Sequence, residues 1–349
     1  MKRLFKFILK LLLLIIIVVV IIVSYISFSD YKPESLNKIY ESDEYELVDK
    51  IQFEILTWNI GYAGLGDDMD FFYDGGKKVR TTKKRTQQNI DAISKKLLEY
   101  SNVDFIMLQE VDIKAKRSYY INNLENIKNK LSDFRSFYAP NYRVKYVPIP
   151  ITEPMGDVES GLVILTKYKP SSVVRHSFEG NFSWPKKLFM LDRCFMVSSF
   201  KLKNNKQLLI INTHNSAFDD GTLKYKQLKQ ISDFVTAEYN KGNYIVLGGD
   251  WNQNPPSFNE EVFDNEDVNA RFKISSISKE FLPKWNIFCD IRTSSNRFLT
   301  QPYVKGETKE TILDMFLCSP NIEKIEINTL DLEFENSDHN PVLLKFELL

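Results

Sequence analysis

Eight short apolar or alternating runs recur along the chain: IQFEILTW, DFIMLQ, GLVILT, CFMVSSFK, QLLIIN, YIVLGG, DMFLCS and PVLLKFEL. Their length and their β-branched and aromatic residues predict strands. Between them, Ile90, Ile93, Leu97 and Leu98 repeat at helical spacing over residues 84–100, and Leu228, Ile231, Phe234 and Val235 do so over 223–240. Strands outnumber helices, and helices separate groups of strands. The pattern predicts an α+β fold, with mixed sheets packed together and helices outside, rather than a strictly alternating parallel sheet.

The ends of these runs carry the chemistry. LTWN ends in Asn59, IMLQE in Gln109 and Glu110, IINTHN in Asn212, His214 and Asn215, and IVLGGDWNQNP contains Asp250 and Asn252. TILDMFL carries Asp314 at its start, and NSDHNPV places Asp338 and His339 just before the last run. Taken singly, polar residues where a strand stops need no more than turn geometry. Converging on one sheet edge, they form a site of hard oxygen ligands with two imidazoles. That chemistry suits Mg²⁺ or Mn²⁺ and a phosphate ester. Zinc is disfavoured, because the 3 histidines are few and scattered. Cys194, Cys289 and Cys318 give no disulfide framework and read as buried apolar residues, with a single disulfide as the alternative.

Composition bounds the rest. The chain has 349 residues, 43% hydrophobic and 26% charged, with 46 basic and 46 acidic side chains. That balance argues against a general nucleic-acid coating protein, which is usually basic. Lys2, Arg3, Lys6 and Lys10 precede an uncharged run over 11–28. As a helix this run spans about 27 Å, enough for a bilayer core. An uncleaved signal anchor is the favoured reading, ahead of a cleaved signal peptide, since only Ser24, Ser27 and Ser29 hint at a cleavage site. A buried core helix is the third alternative. The basic flank predicts a cytoplasmic start and an exported remainder of net charge −4. Residues 29–48 are polar and acidic and read as a tether, and 49–349 as one catalytic domain without repeats.

The ordered motifs TWN, LQEV, SGLVILT, NTH, GDWN, LD and SDHNP closely resemble the endonuclease/exonuclease/phosphatase superfamily, the deoxyribonuclease I-like fold. The resemblance covers residues 51–349 and implies a four-layer α/β/β/α sandwich, with the active site at one end of the two sheets. It implies metal-binding roles for Glu110, Asn59 and Asp338. It implies that Asp250 orients or deprotonates the attacking water and that Asn252 holds this water or the phosphate. His214 is then the phosphate-contacting or leaving-group histidine. His339 is the second, essential one, its ring fixed by Asp314. Trp251 stands where Phe is more usual. Whether Asp250 or His339 is the base stays open at this point. Glu159 is a weaker candidate partner for His214, and His176 matches no motif.

Substrate choice is expected to lie in loops. Asn59 and Glu110 are 51 positions apart, which suggests an insertion over 61–85. It carries Phe71, Phe72 and Tyr73, followed by Lys77, Lys78, Arg80, Lys83, Lys84 and Arg85. Either it packs on the body or it forms a lid that touches substrate. Lys77, Lys78, Arg117, Tyr119 and Arg193 are the candidate substrate contacts, because cations beside aromatics suit nucleic acid and lipid head groups alike. The Trp-Cys-Asp-Arg signature of inositol-polyphosphate phosphatases is missing from KWNIFCDI and TILDMFLCS. Abasic-site repair does not suit an exported domain. The expected function is a membrane-tethered, extracytoplasmic, Mg²⁺-dependent phosphodiesterase. Nucleic acid is placed ahead of a phospholipid head group, an inactive interaction module is the non-enzymatic rival, and no obligate protein partner is expected.

Overall fold

The computed structural model describes residues 2–217, 219, 221–259 and 274–349. Helix α1 (Lys2–Ser29) is followed by two short strands, β1 (Leu36–Glu41) and β2 (Leu47–Val48). Next come β3 (Gln52–Asn59), α2 (Lys83–Glu99), β4 (Phe105–Ala115), α3 (Asn123–Lys130), β5 (Arg135–Val147) and β6 (Gly156–Thr166). The second half supplies β7 (Ser172–Ser177), β8 (Cys194–Leu202), β9 (Gln207–His214), α4 (Thr222–Asn240) and β10 (Tyr244–Asp250). The chain closes with β11 (Asn286–Phe288), β12 (Asn296–Arg297), β13 (Glu310–Thr311), β14 (Asp314–Cys318), β15 (Ile322–Thr329) and β16 (Val342–Leu348).

These strands form two large sheets and one small ribbon. The first sheet runs β15-β16-β3-β4-β6-β5 and the second β1-β7-β8-β9-β10-β14-β11, while β12 pairs with β13. Side-chain alternation decides the layering. On β3 and β4, Phe53, Ile55, Phe105 and Met107 face the second sheet, where they meet Phe200, Ile210, Val246 and Phe316. Leu56, Trp58, Ile106 and Leu108 face outward, onto Ile90, Ile93 and Leu97 of α2 and Ile127 of α3. On the other side, Ile211, Ile245 and Leu247 pack against Ile231 and Val235 of α4. The result is a mixed α+β protein of four layers with the deoxyribonuclease I-like arrangement. The helical stripes read from sequence coincide with α2 and α4.

Residues 29–48, expected as a tether, are partly incorporated into the second sheet. β1 pairs antiparallel with β7, and β2 pairs parallel with β8. The segment LNKIYE reads as polar because an edge strand buries little, yet Ile39 and Tyr40 pack on the central core and Tyr40 meets Phe137 at 5.2 Å. α1 has no buried residue, and it is long and apolar enough to cross a membrane. Cys194, Cys289 and Cys318 are all free thiols.

Candidate active site

Register brings the polar strand ends to one edge. β3 and β4 run parallel with Asn59 beside Gln109, and β9 and β10 run parallel with His214 beside Asp250. β14 runs antiparallel to β10, which sets Asp314 beside Asp250. Asn296 of β12 bridges to His339. Glu110 departs from the expectation that its strand stops there. β4 continues to Ala115 across a bulge between Leu108 and Val111, and Glu110 itself has φ 56°. A bulge re-aims one side chain without ending the strand. Beneath the site, Gln109 Nε2 donates to Thr57 Oγ1 (3.0 Å) and to Asn212 Oδ1 (2.7 Å). Asn212 Nδ2 in turn donates to the carbonyls of Leu108 and Val163 (both 2.9 Å).

Asp250 lies between the two imidazoles. His214 Nε2 stands 3.3 Å and His339 Nε2 3.8 Å from its Oδ2, and Asn59 Nδ2 donates to the same oxygen at 3.0 Å. Its Oδ1 accepts from the Asn252 backbone N–H at 2.9 Å, and the Asn252 side chain donates to the Asn215 carbonyl. His339 Nδ1 is bonded to Asp314 Oδ2 at 2.7 Å, and its Nε2 lies 2.9 Å from the Asn296 side-chain amide. The surroundings push the two imidazoles apart in charge. Burial opposes the charged form of His339, yet Asp314 and Asp250 outweigh it and push its pKa up to about 10. Burial, helped by Arg193, His339 and Arg117, drives His214 well below the usual range. At neutral pH His339 is therefore cationic and His214 neutral. Burial raises the Asp250 carboxyl, while His339 counters it.

A second group of oxygens faces them. Asn59 Nδ2 reaches Glu110 Oε1 at 3.4 Å. Asp338 is buried, and its carboxyl is pushed up to about 6 by burial and then by the Glu110 charge, with His339 and Arg297 opposing. Asp74 is pushed up to about 7 by burial, with Asp338 and Glu110 adding to it. Among the described residues, no three acidic, histidine or cysteine side chains converge as a complete ligand set. Mg²⁺ does not require one, since it keeps several waters and takes one or two carboxylates. Two buried or half-buried carboxylates that repel one another fit a hard divalent cation; the Asn59 amide turns its nitrogen toward Glu110, and its oxygen accepts from the Gly61 N–H at 3.0 Å. Gly61 is needed at this point. With φ +48°, a Cβ there would fall 2.6 Å from Asp338 Oδ1.

A cleft of about 1120 Å³ opens over both groups. Arg193 lines it and donates to the His214 carbonyl at 3.3 Å. Arg117 also lines it, but its guanidinium is engaged with Asp112 at 2.9 and 3.1 Å, lies over the Tyr62 ring at 3.8 Å and stands 3.8 Å from Glu110. It supports Glu110 from behind. Lys77, Lys78 and Tyr119 do not line the cleft. Lys78 Nζ donates to the Asp68 carbonyl, Tyr119 donates to the Thr81 carbonyl, and Lys77 is exposed. The insertion packs on the body: Phe71 N–H donates to the Leu299 carbonyl, and Tyr62, Leu65, Met69 and Phe71 share a small core with Leu299. Arg80 is paired with Glu153, and Arg85 with Asp67 and Asp68. Glu159 is paired with Arg143, not His214, whose Nδ1 is buried without a partner among the described residues. His176 stacks on Phe195 at 4.7 Å, away from the cleft. Sequence reasoning missed Asn296, Asp74 and Lys224. Lys224 is a buried residue of α4 that lines the cleft, its ammonium disfavoured by burial. No sequence signal marks Asn296 or Asp74, whereas Lys224 stands in phase with the apolar stripe of its helix, four residues before Leu228 and seven before Ile231, as a cation at a buried position.

The fold and this edge define a class: two-sheet sandwich proteins that gather carboxylates and two histidines at the ends of their central strands. A solved endonuclease/exonuclease/phosphatase from Beutenbergia cavernae matches with a TM-score of 0.55 at 15% identity, covering 86% of this chain and 72% of its own. D. rerio TDP2 complexed with a single-strand DNA product matches at 0.52 and 12%, covering 85% and 99%. The human Nocturnin catalytic domain with bound sulfate matches at 0.52 and 12%, covering 88% and 97%. No curated sequence relative is significantly similar. The sequence model of the endonuclease/exonuclease/phosphatase family matches residues 56–339, and the chain belongs to that family.

Proposed function

We propose that the chain is a divalent-metal-dependent phosphodiesterase, tethered by α1 to the outer side of the cytoplasmic membrane. The observation that carries the reading is Asp250 held between two imidazoles, 3.3 and 3.8 Å from its Oδ2, one of them bonded to Asp314 at 2.7 Å. Asp250, oriented by Asn59 and by the Asn252 backbone, accepts the proton of the attacking water. Its raised pKa favours that acceptance. His339, already protonated, places positive charge where the phosphoryl oxygens gain negative charge. His214, neutral and buried beside Asp250, holds the opposite side of the phosphate. Asn252 and Arg193 bind its remaining oxygens. Glu110 and Asp338 would hold Mg²⁺ or Mn²⁺, which supplies charge neutralisation at the phosphate, while Asn59 orients Glu110 beside it.

The inactive-module reading is disfavoured because Glu110, Asp250, Asp338 and His339 are all retained and lie at one edge. The full chain is to be assayed with a chromogenic phosphodiester, plasmid DNA, RNA and sphingomyelin, in Mg²⁺ and in chelator. Turnover is expected in Mg²⁺ alone, with Asp250→Asn and His339→Ala inactive. Turnover that survives chelation or either substitution would sink the mechanism, and no turnover at all would revive the interaction module. A protease-cleavable tag after Leu349 should be cut on intact cells, and protection there would reverse the orientation.

A further inference from the structure

One wall of the cleft leads from the catalytic edge to the end of α1. Ile149, from the turn after β5, lines the cleft and is 41% exposed, and Ile151 two residues on is 88% exposed. Phe182 and Lys186 line the same wall, with the Lys186 ammonium 3.9 Å above the Phe182 ring. Between them Trp184 is 59% exposed, and its indole N–H donates to Ser27 Oγ, in the last turn of α1, at 3.4 Å. The mouth of the cleft and the end of the apolar helix are thus adjacent.

The chain leaves no slack to separate them. Ser177 donates through its hydroxyl to the Glu34 carbonyl at 2.7 Å and through its N–H to the Ser35 carbonyl at 2.8 Å. Only residues 30–33 lie between the helix and this docked segment, a reach under about 20 Å. With α1 in a bilayer, Trp184 sits at the height where indole rings favour the membrane interface. Ile149 and Ile151 then face the same surface, with Lys145, Lys186 and Lys187 exposed beside them. Of the cations expected to contact substrate, Arg117 and Arg193 line the cleft, but those of the 77–85 run do not reach it. Arg80 and Arg85 are ion-paired, and Lys77 and Lys78 lie off the cleft. A nucleic-acid groove needs cations that neutralise phosphates along its path. This wall instead sets exposed Ile149, Ile151 and Trp184 beside Lys186, a mixed apolar and cationic rim.

We propose that the substrate is the phosphodiester of a membrane phospholipid, entering from the bilayer between the 149–151 and 182–186 loops with its head group toward Asp250. The proposal rests on the phosphodiesterase reading. Water oxygen bonds to phosphorus as one P–O ester bond breaks, and the water proton ends on the released alkoxide. The products are an alcohol and a phosphate monoester.

The test uses the full chain reconstituted with Mg²⁺ into vesicles of phosphatidylcholine, phosphatidylglycerol or sphingomyelin. Two parallel substrates, soluble bis(p-nitrophenyl) phosphate and a single-stranded DNA oligonucleotide, serve for comparison. Head-group release is expected in at least one vesicle type, and its identity separates glycerophospholipid from sphingolipid. Ile151→Asp with Trp184→Ala, both at exposed positions, should lower vesicle hydrolysis at least tenfold while bis(p-nitrophenyl) phosphate turnover stays within twofold. Cleavage of the soluble ester or DNA without any lipid hydrolysis overturns the lipid proposal but leaves the phosphodiesterase. An equal response of lipid and soluble ester to the double substitution also overturns it. Failure on every phosphoester overturns both.

Discussion

The two walls of the cleft are built on opposite principles. The inner wall is polar and buried: Asp250, Asp314, His339, Arg117 and Asp112 each have a side-chain partner within 4 Å. The outer wall, over 148–155 and 182–190, has exposed apolar side chains such as Ile151 and Trp184 at its rim. Buried charge is tolerable only when paired, so the inner wall is rigidly specified and sensitive to single changes. The exposed rim of the outer wall, at Ile151 and Trp184, has few obligations to the fold. It can be altered without unfolding the protein, and its composition answers to what enters the cleft.

Breaking the inner wall should give the largest effects. Asp250→Asn or His339→Ala should lower kcat about 10³-fold or more in a protein that still folds, read by steady-state kinetics and circular dichroism. Asp314→Asn should approach the same loss, because the His339 ring then lacks its orienting carboxylate. Arg117→Met tests packing rather than chemistry. It strands Asp112, which is fully buried, and should cost about 3–5 kcal/mol in denaturant unfolding. An unchanged midpoint would mean that the pair contributes nothing.

Two smaller effects sharpen the contrast. His176, among Phe195 and Phe234, shows what an imidazole does where burial outweighs its carboxylate neighbour: burial pushes its pKa down to about 4, with Glu238 opposing. The folded protein then holds it neutral while the unfolded chain protonates from about pH 6.5 downward. Stability is lost as pH falls from 6.5 toward 4. His176→Phe should remove about 1–2 kcal/mol of that loss, seen as a flatter profile of unfolding free energy against pH. Lys224→Gln, on the α4 side of the cleft, should raise KM for an anionic substrate about three- to tenfold with little change in kcat.

Much of this was legible in the sequence. The strands of both sheets could be read because each alternates between two buried faces, and their polar ends fell together because register forces neighbouring strand ends to one edge. The pairing of Asp314 with His339 came from the family resemblance, and register explains why the two meet. What failed to read was orientation in loops. Lys77 and Lys78 form a dense basic run, yet charge density does not say which way a loop faces, and these side chains turn from the cleft. β1 looked like a tether because an edge strand with two half-buried residues has nearly the composition of a linker. Asn296 acts through a two-residue strand too short to leave a periodic signal. The apolar rim was invisible because exposed Ile and Trp in separate loops become a patch only in space.

Glu110 belongs to the first sheet, whereas His214 and Asp250 belong to the second. Nothing covalent near the site joins the two. The buried amides of Gln109 and Asn212 cross from one sheet to the other directly below it. They act as an alignment pin, since a slip of one residue would move the halves of the site about 3.3 Å apart. Substituting Asn212 with Leu, an apolar residue of similar length, should therefore leave a folded sandwich whose two half-sites no longer meet in register. Precision at the phosphate would be lost without loss of any group that touches it.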